Sequence, residues 1–139
     1  MVDQYVLTEK LKILAEYLQD LENEKDTSFQ DFCSNKRIRR YIERTLHLAA
    51  ECCLDIGSHI ISSERLREPL DNKDIFVVLA ENAIIPREEL PDLTKMAQFR
   101  NILVHNYARL DAAIIFGVLK NNLDTFRRFA RAIQEKYRL

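Results

Sequence analysis

The stretch Arg100-Asn101-Ile102-Leu103-Val104-His105-Asn106-Tyr107 gathers a permanent cation, a titratable imidazole and a phenol. All three can handle a phosphate. A guanidinium stays charged and forks onto phosphate oxygens, an imidazole gives or takes a proton near neutrality, and a phenol serves as hydroxyl nucleophile or acceptor. Metal-free cleavage of an RNA phosphodiester needs a base for the 2′-hydroxyl proton, an acid for the leaving 5′-oxygen and a cation beside the crowded phosphate. The motif holds one Arg and one His, too few for both proton transfers. A two-fold homodimer would bring two imidazoles and two guanidiniums into one cleft, so a shared dimeric site is expected.

Helix geometry sets a condition on this stretch. On one continuous helix Arg100 and His105 point about 140° apart. A common site in one chain therefore predicts that the helix ends around Val104. The chain would then turn through His105 to Leu110, with His105 folded back beside Arg100 and Tyr107 in the same turn.

The elements that hold this stretch are helical. Leu7, Leu11, Leu14, Leu18 and Leu21 alternate steps of four and three, drawing one apolar stripe on a helix over 4–23. Asp26-Thr27-Ser28 carries stop and cap signals, followed by a short helical turn over 29–33 and a long helix from Ser34 or Asn35. Ile38, Ile42, Thr45, Ala49, Cys52, Ile56 and Ile60 mark the buried face of that helix, which Ser62, Ser63 and the Glu68-Pro69 step end. Asp71 or Asn72 caps a third helix with its apolar run at 75–79, ending within 83–86. A fourth runs over 87–104, with Pro91 in its first turn. Asp111 caps a single last helix whose buried stripe is Ile114, Ile115, Val118, Leu119, Leu123, Phe126, Phe129, Ala130 and Ile133. With no strand pattern or internal repeat, the chain reads as an all-α, single-domain antiparallel bundle of about five helices over 1–139.

Composition agrees. At 139 residues and 47% hydrophobic, the chain suits one core, and its two Gly and three Pro leave few interruptions in long helices. No apolar run is long enough for a bilayer and no basic-then-apolar leader opens the sequence, so a cytoplasmic protein is expected. Cys33, Cys52 and Cys53 lack metal-ligand spacing and are expected as reduced core residues.

The net charge of −1 gives no global pull on nucleic acid, so any RNA contact must come from local clusters. Two exist: Lys36, Arg37, Arg39, Arg40 and Arg44, and Arg127, Arg128, Arg131, Lys136 and Arg138. A solvated helix face is the default reading of both. Glu43, His47, Glu51, Asp55 and His59 recur every four residues, but steps of four lag a full turn, so the first and last stand about 160° apart and cannot share an ion. No metal site is expected. Glu51 and Asp55 are instead candidates to orient the Arg100 guanidinium or to hold His105 in a useful tautomer.

Phe99 through Tyr107, with the upstream strings Arg40-Tyr41-Ile42-Glu43-Arg44 and Ala49-Ala50-Glu51-Cys52-Cys53-Leu54-Asp55-Ile56-Gly57-Ser58-His59-Ile60, resembles the HepT toxins of the HEPN superfamily over nearly the whole chain. The resemblance implies a HEPN-like homodimer and a metal-independent ribonuclease with an Arg-x4-His-x-Tyr motif, complete here as Arg100, His105 and Tyr107. It implies a type VII toxin–antitoxin pair in which an MntA-like minimal nucleotidyltransferase transfers AMP from ATP onto Tyr107. ATP would serve the partner, and no cofactor of the chain itself is expected. AMP on Tyr107 would set phosphate charge beside Arg100 and His105, where an RNA phosphate must bind. Asn101 follows Arg100 as in many proteins of the superfamily and is expected either to pin the motif turn through backbone hydrogen bonds or to pack or cap there. A cutting cleft also needs phosphate contacts beyond its centre, which promotes Lys36, Arg37, Arg40 and Arg44 to an RNA or acidic-partner surface. The rival expectation is a non-catalytic HEPN module that supports a nucleotidyltransferase without cutting RNA.

Overall fold

The protein's structure, a computed structural model, describes residues 1–105 and 111–139. In chain order the helices are α1 (Gln4–Asn23), α2 (Phe29–Ser34), α3 (Lys36–Ser63), α4 (Asn72–Glu81), a 3-10 turn (Arg87–Glu89), α5 (Leu90–His105), α6 (Ala112–Asn121) and α7 (Leu123–Tyr137). Among the described residues there is no strand.

Local chemistry explains the starts. Asp3 accepts from the amides of Tyr5 and Val6, Ser28 from Asp31, Asn35 from Arg37 and Ile38, Asp71 from Asp74 and Asp111 from Ala113, each satisfying an orphan donor of a first turn. The stops use a device the sequence hides. Leu66 N–H donates to the Ile61 carbonyl and Arg65 N–H to that of Ser62, while Ile84 donates to Leu79 and Ala83 to Ala80. Both are Schellman closures, and their left-handed residues are Arg65 (φ 56°) and Ala83 (φ 57°) where glycine is usual. Both glycines of the chain lie inside helices. An Ala83→Gly variant is therefore expected to gain up to about 1 kcal/mol, seen as a higher urea midpoint. A lower midpoint would mean that Ala83 bears no strain.

The long α3 is the centre of the bundle. Its residues Ile42, Leu46, Ala49, Ala50, Cys53, Ile56 and Ile60 are fully buried, with α1 laid along one side and α4 and α5 along others. The leucine stripe of α1 faces it, all five residues being buried. At Gly57 the α4 helix comes so close that a Cβ would stand 2.5 Å from the Ile75 Cγ2. Phe76 of α4 and Phe129 of α7 are both fully buried and meet edge to face, their centroids 5.6 Å apart.

Three expectations are corrected here. The single last helix is two, because Asn122 (φ −121°, ψ 10°) closes α6 and opens α7; asparagine competes poorly for helix, and the Asn121-Asn122 pair was the available signal. With this split and the short α2, expected only as a helical turn, the described residues hold seven α-helices. Ile114, expected in the buried stripe, is 51% exposed, while Val118 and Ala130 are only partly buried. Ile38 is likewise only partly buried. Cys33 is exposed, whereas burial holds the thiols of Cys52, at about 11, and of Cys53 above the ordinary range.

Candidate active site

Arg100 lies in the second half of α5 and reaches toward α3. Its Nε donates to Glu51 Oε1 of α3 in a very close ion pair, and its Nη1 donates to Asn101 Oδ1 at 3.1 Å. The same Asn101 oxygen accepts from Asn72 Nδ2, the first residue of α4, at 3.2 Å. α3 thus holds the guanidinium directly, and α4 steadies it through Asn101. A carboxylate and an amide oxygen are suitable partners, because every guanidinium N–H is a donor. Asn101 thus links Arg100 to α4 through its side chain, and the motif turn it was expected to pin lies outside the described residues.

Glu51 has a second neighbour. His47, one turn earlier on α3, places Nε2 3.6 Å from Glu51 Oε1 and Nδ1 3.2 Å from Arg44 Nη1. Since Arg44 can only donate, Nδ1 is the acceptor and the ring proton sits on Nε2, facing Glu51. Burial pushes the His47 imidazole below its ordinary value, against the opposing pull of Glu51.

His105 is the last residue of α5 and is exposed. The helix runs through His105, one residue past the expected end, and the imidazole does not fold back: among the described residues it makes no hydrogen bond or ion pair. One chain therefore leaves Arg100 and His105 about 140° apart around α5. Tyr107 and Asn106 lie outside the described residues.

The two carboxylate candidates separate. Glu51 orients Arg100, but Asp55, one turn further along α3, is exposed and does not touch it. The four-step ladder is divided too, with Glu43 paired to Arg39 at 2.8 Å, and among the described residues no group of three or more His, Cys, Asp or Glu could hold a metal ion. Lys36, Arg37, Arg40 and Arg44 are exposed on the first half of α3.

Asn72 and His47 were not anticipated at this site. Nothing near Asn72 in sequence announces its contact, which only the packing of α4 on α5 creates. His47 could have been read from its four-residue spacing to Glu51. A Glu51→Gln variant is expected to lose about 10²-fold in the RNA cleavage rate through a misplaced guanidinium, with RNA affinity held or improved once the opposing carboxylate charge is gone. An unchanged rate would remove Glu51 from the site.

These features define an all-helical protein in which the Arg100 guanidinium of α5 is held against α3. The family model described as "Ribonuclease HepT-like" matches residues 8–133, and the chain belongs to that family. It is 32% identical over 105 residues to an mRNA nuclease HepT of Shewanella oneidensis, covering 76% of each chain. It is 24% identical over 132 residues to a tRNA nuclease HepT of Aphanizomenon flos-aquae, covering 95% of this chain and 90% of that one. Among solved structures, the tri-AMPylated Shewanella oneidensis HEPN toxin in complex with MNT antitoxin matches with a TM-score of 0.84 and 26% identity, over 97% of this chain and 99% of that one. Among the described residues no helix is long and apolar enough to cross a membrane.

Proposed function

We propose that this protein is a metal-independent endoribonuclease toxin. The observation that carries the reading is the fixing of Arg100 by Glu51 and Asn101, five positions before an exposed imidazole at a helix end. Arg100 would stabilise charge on the phosphate in the transition state. His105 of one copy would take the 2′-hydroxyl proton, the 2′-oxygen would form its bond to phosphorus, and His105 of the other copy would protonate the departing 5′-oxygen.

The homodimer follows from what one chain lacks, because its single Arg100 and His105 face different ways. Ile102 and Ile114, 39% and 51% exposed, border an apolar cavity of about 300 Å³ on the His105 side of α5, a surface that a second copy would bury. The relatives support the RNA substrate, one being named an mRNA nuclease and another a tRNA nuclease.

Control rests with Tyr107 and an MntA-like nucleotidyltransferase acting in the cytoplasm. The structural relative in complex with its antitoxin is tri-AMPylated, which supports AMP transfer, from ATP bound by the partner, onto this phenol. Adenylate phosphates there would compete for Arg100 and exclude the RNA phosphate.

The test is cleavage of RNA by purified protein in the presence of a chelator. Wild type should cut and His105→Ala should not, and co-expression with an MntA-like nucleotidyltransferase should add adenylate mass to the Tyr107 peptide. A non-catalytic module, which the wide separation of Arg100 and His105 in one chain would also suit, predicts that both proteins are inert and harmless when expressed alone.

A further inference from the structure

The chain has two basic clusters of similar composition, and the structure treats them differently. In the C-terminal one, Arg127 is tied to Glu22 and Asp124 and Arg128 to Glu89 and Asp92, all at 2.7–2.9 Å, and the members without an ion pair among the described residues form no line, Arg131 and Lys136 standing about 140° apart on α7. In the α3 cluster Arg39 is neutralised by Glu43, but Arg37, Arg40 and Arg44 have no carboxylate within ion-pair distance among the described residues. The remaining residues, 106–110, include no acid.

The three unneutralised arginines are in line. Positions 37, 40, 44, 47 and 51 advance by alternating three and four, so Arg37, Arg40, Arg44, His47 and Glu51 share a band about 80° wide on α3. Lys36 lies just off it. The band runs about 21 Å from Arg37 to Glu51, at 1.5 Å per residue, and Glu51 grips Arg100. Contact is continuous over its last part, from Arg44 to His47 at 3.2 Å and from His47 to Glu51 at 3.6 Å.

Two features bound the band. Its start places Lys36 and Arg37 in the first turn of α3, with no acid there, where the helix dipole disfavours cations. Folding alone gives no reason for that arrangement. Beyond Glu51 the same band continues to the exposed Asp55, which repels phosphate, so a strand following the arginines must leave α3 at Arg100. On the α1 side stands Tyr41, its phenol pushed up by burial and then by Asp20 and Glu24, so negative charge borders that edge as well.

We propose that Arg37, Arg40 and Arg44 form a phosphate track that leads single-stranded RNA along α3 to Arg100. The proposal rests on the ribonuclease reading for its destination. Steps of three or four residues set guanidiniums about 5 Å apart along the axis, an in-line array suited to successive phosphates of one strand. Guanidiniums fork onto phosphate oxygens, and a line of them without carboxylate partners fits a polyanion better than the scattered carboxylates of a folded protein surface.

The test uses full-length protein carrying His105→Ala, so that RNA is bound but not consumed. Affinity for a fluorescent single-stranded RNA long enough to span the band is measured against salt. Adding Arg37→Gln and Arg40→Gln should flatten the log–log salt dependence by about 1.4, at about 0.7 per lost phosphate contact, and weaken binding at low salt at least tenfold. The charge-matched pair Arg131→Gln and Lys136→Gln should leave the slope as it was. Thermal unfolding should be unchanged or slightly higher for the α3 variant, since two cations leave or flank the positive end of a helix. Equal slopes for the two charge-matched variants overturn the track. So does loss of nucleotidyltransferase binding without any change in RNA binding, which would make the band a docking face for an acidic protein. Because binding is read without cleavage, an inert wild-type protein would sink the ribonuclease reading and leave the track measurement intact.

Discussion

An Arg100→Ala protein is expected to cleave RNA about 10²–10³-fold more slowly than wild type, the usual cost of removing one preorganised donor to a developing oxyanion. The structure makes this residue a strong candidate for such a cost, because its guanidinium is already oriented. Glu51 holds Nε and Asn101 holds Nη1, while Nη2 has no hydrogen bond among the described residues and can point outward. Arg100→Lys should recover little. An ammonium keeps the charge but cannot bond Glu51 and a phosphate oxygen through one planar fork. Single-turnover cleavage rates, with circular dichroism to show an intact fold, check both variants. Cleavage at the wild-type rate by Arg100→Ala would leave the site without its cation and end the proposal.

The largest stability effect is expected at the aromatic contact between α4 and α7. Phe129→Ala should destabilise the fold by about 3–5 kcal/mol, since it removes a fully buried ring and leaves a cavity beside Phe76. Against a typical total of about 5–15 kcal/mol, this shifts the melting temperature by on the order of 10 °C. A functional signature accompanies it. Phe76 lies on the helix that begins with Asn72, so loosening α4 weakens the Asn72–Asn101 hydrogen bond that steadies the Arg100 side chain. Calorimetry and the cleavage rate per folded molecule, measured well below the transition, separate these two consequences. A melting temperature within a few degrees of wild type would show that the bundle closes over the missing ring.

The other expected outcomes concern Ala83 at a helix stop, Glu51 beside the guanidinium and the arginines of α3. They share a theme: each concerns a group whose sequence neighbours do not explain it. Ala83 occupies a glycine conformation, Glu51 lies 49 residues from its partner, and Arg37 opposes the dipole of its own helix.

Much of the fold could be read in the chain. Alternating steps of three and four gave α1 from Gln4 to Asn23, and polar caps placed the starts of α3, α4 and α6, because caps and amphipathic stripes are local chemistry written in adjacent residues. The last helix was misread for the same reason. A stripe tells which face is buried, and it continues across Asn122 although the helix does not, so periodicity alone conceals the break.

The sequence by itself determined the helical class, the residues of the motif and the presence of an acid, Glu51, on the polar side of α3. What the tertiary structure decided is which groups meet. It chose Glu51 over Asp55 as the partner of Arg100, recruited Asn72 and His47, paired Arg127 and Arg128 with acids while leaving Arg37, Arg40 and Arg44 without one among the described residues, and kept His105 on the helix instead of folding it back. The physical reason is range. Caps, stops and stripes are fixed by neighbours a turn apart, whereas an ion pair or a shared hydrogen bond depends on how two helices pack, a relation that no spacing along the chain encodes.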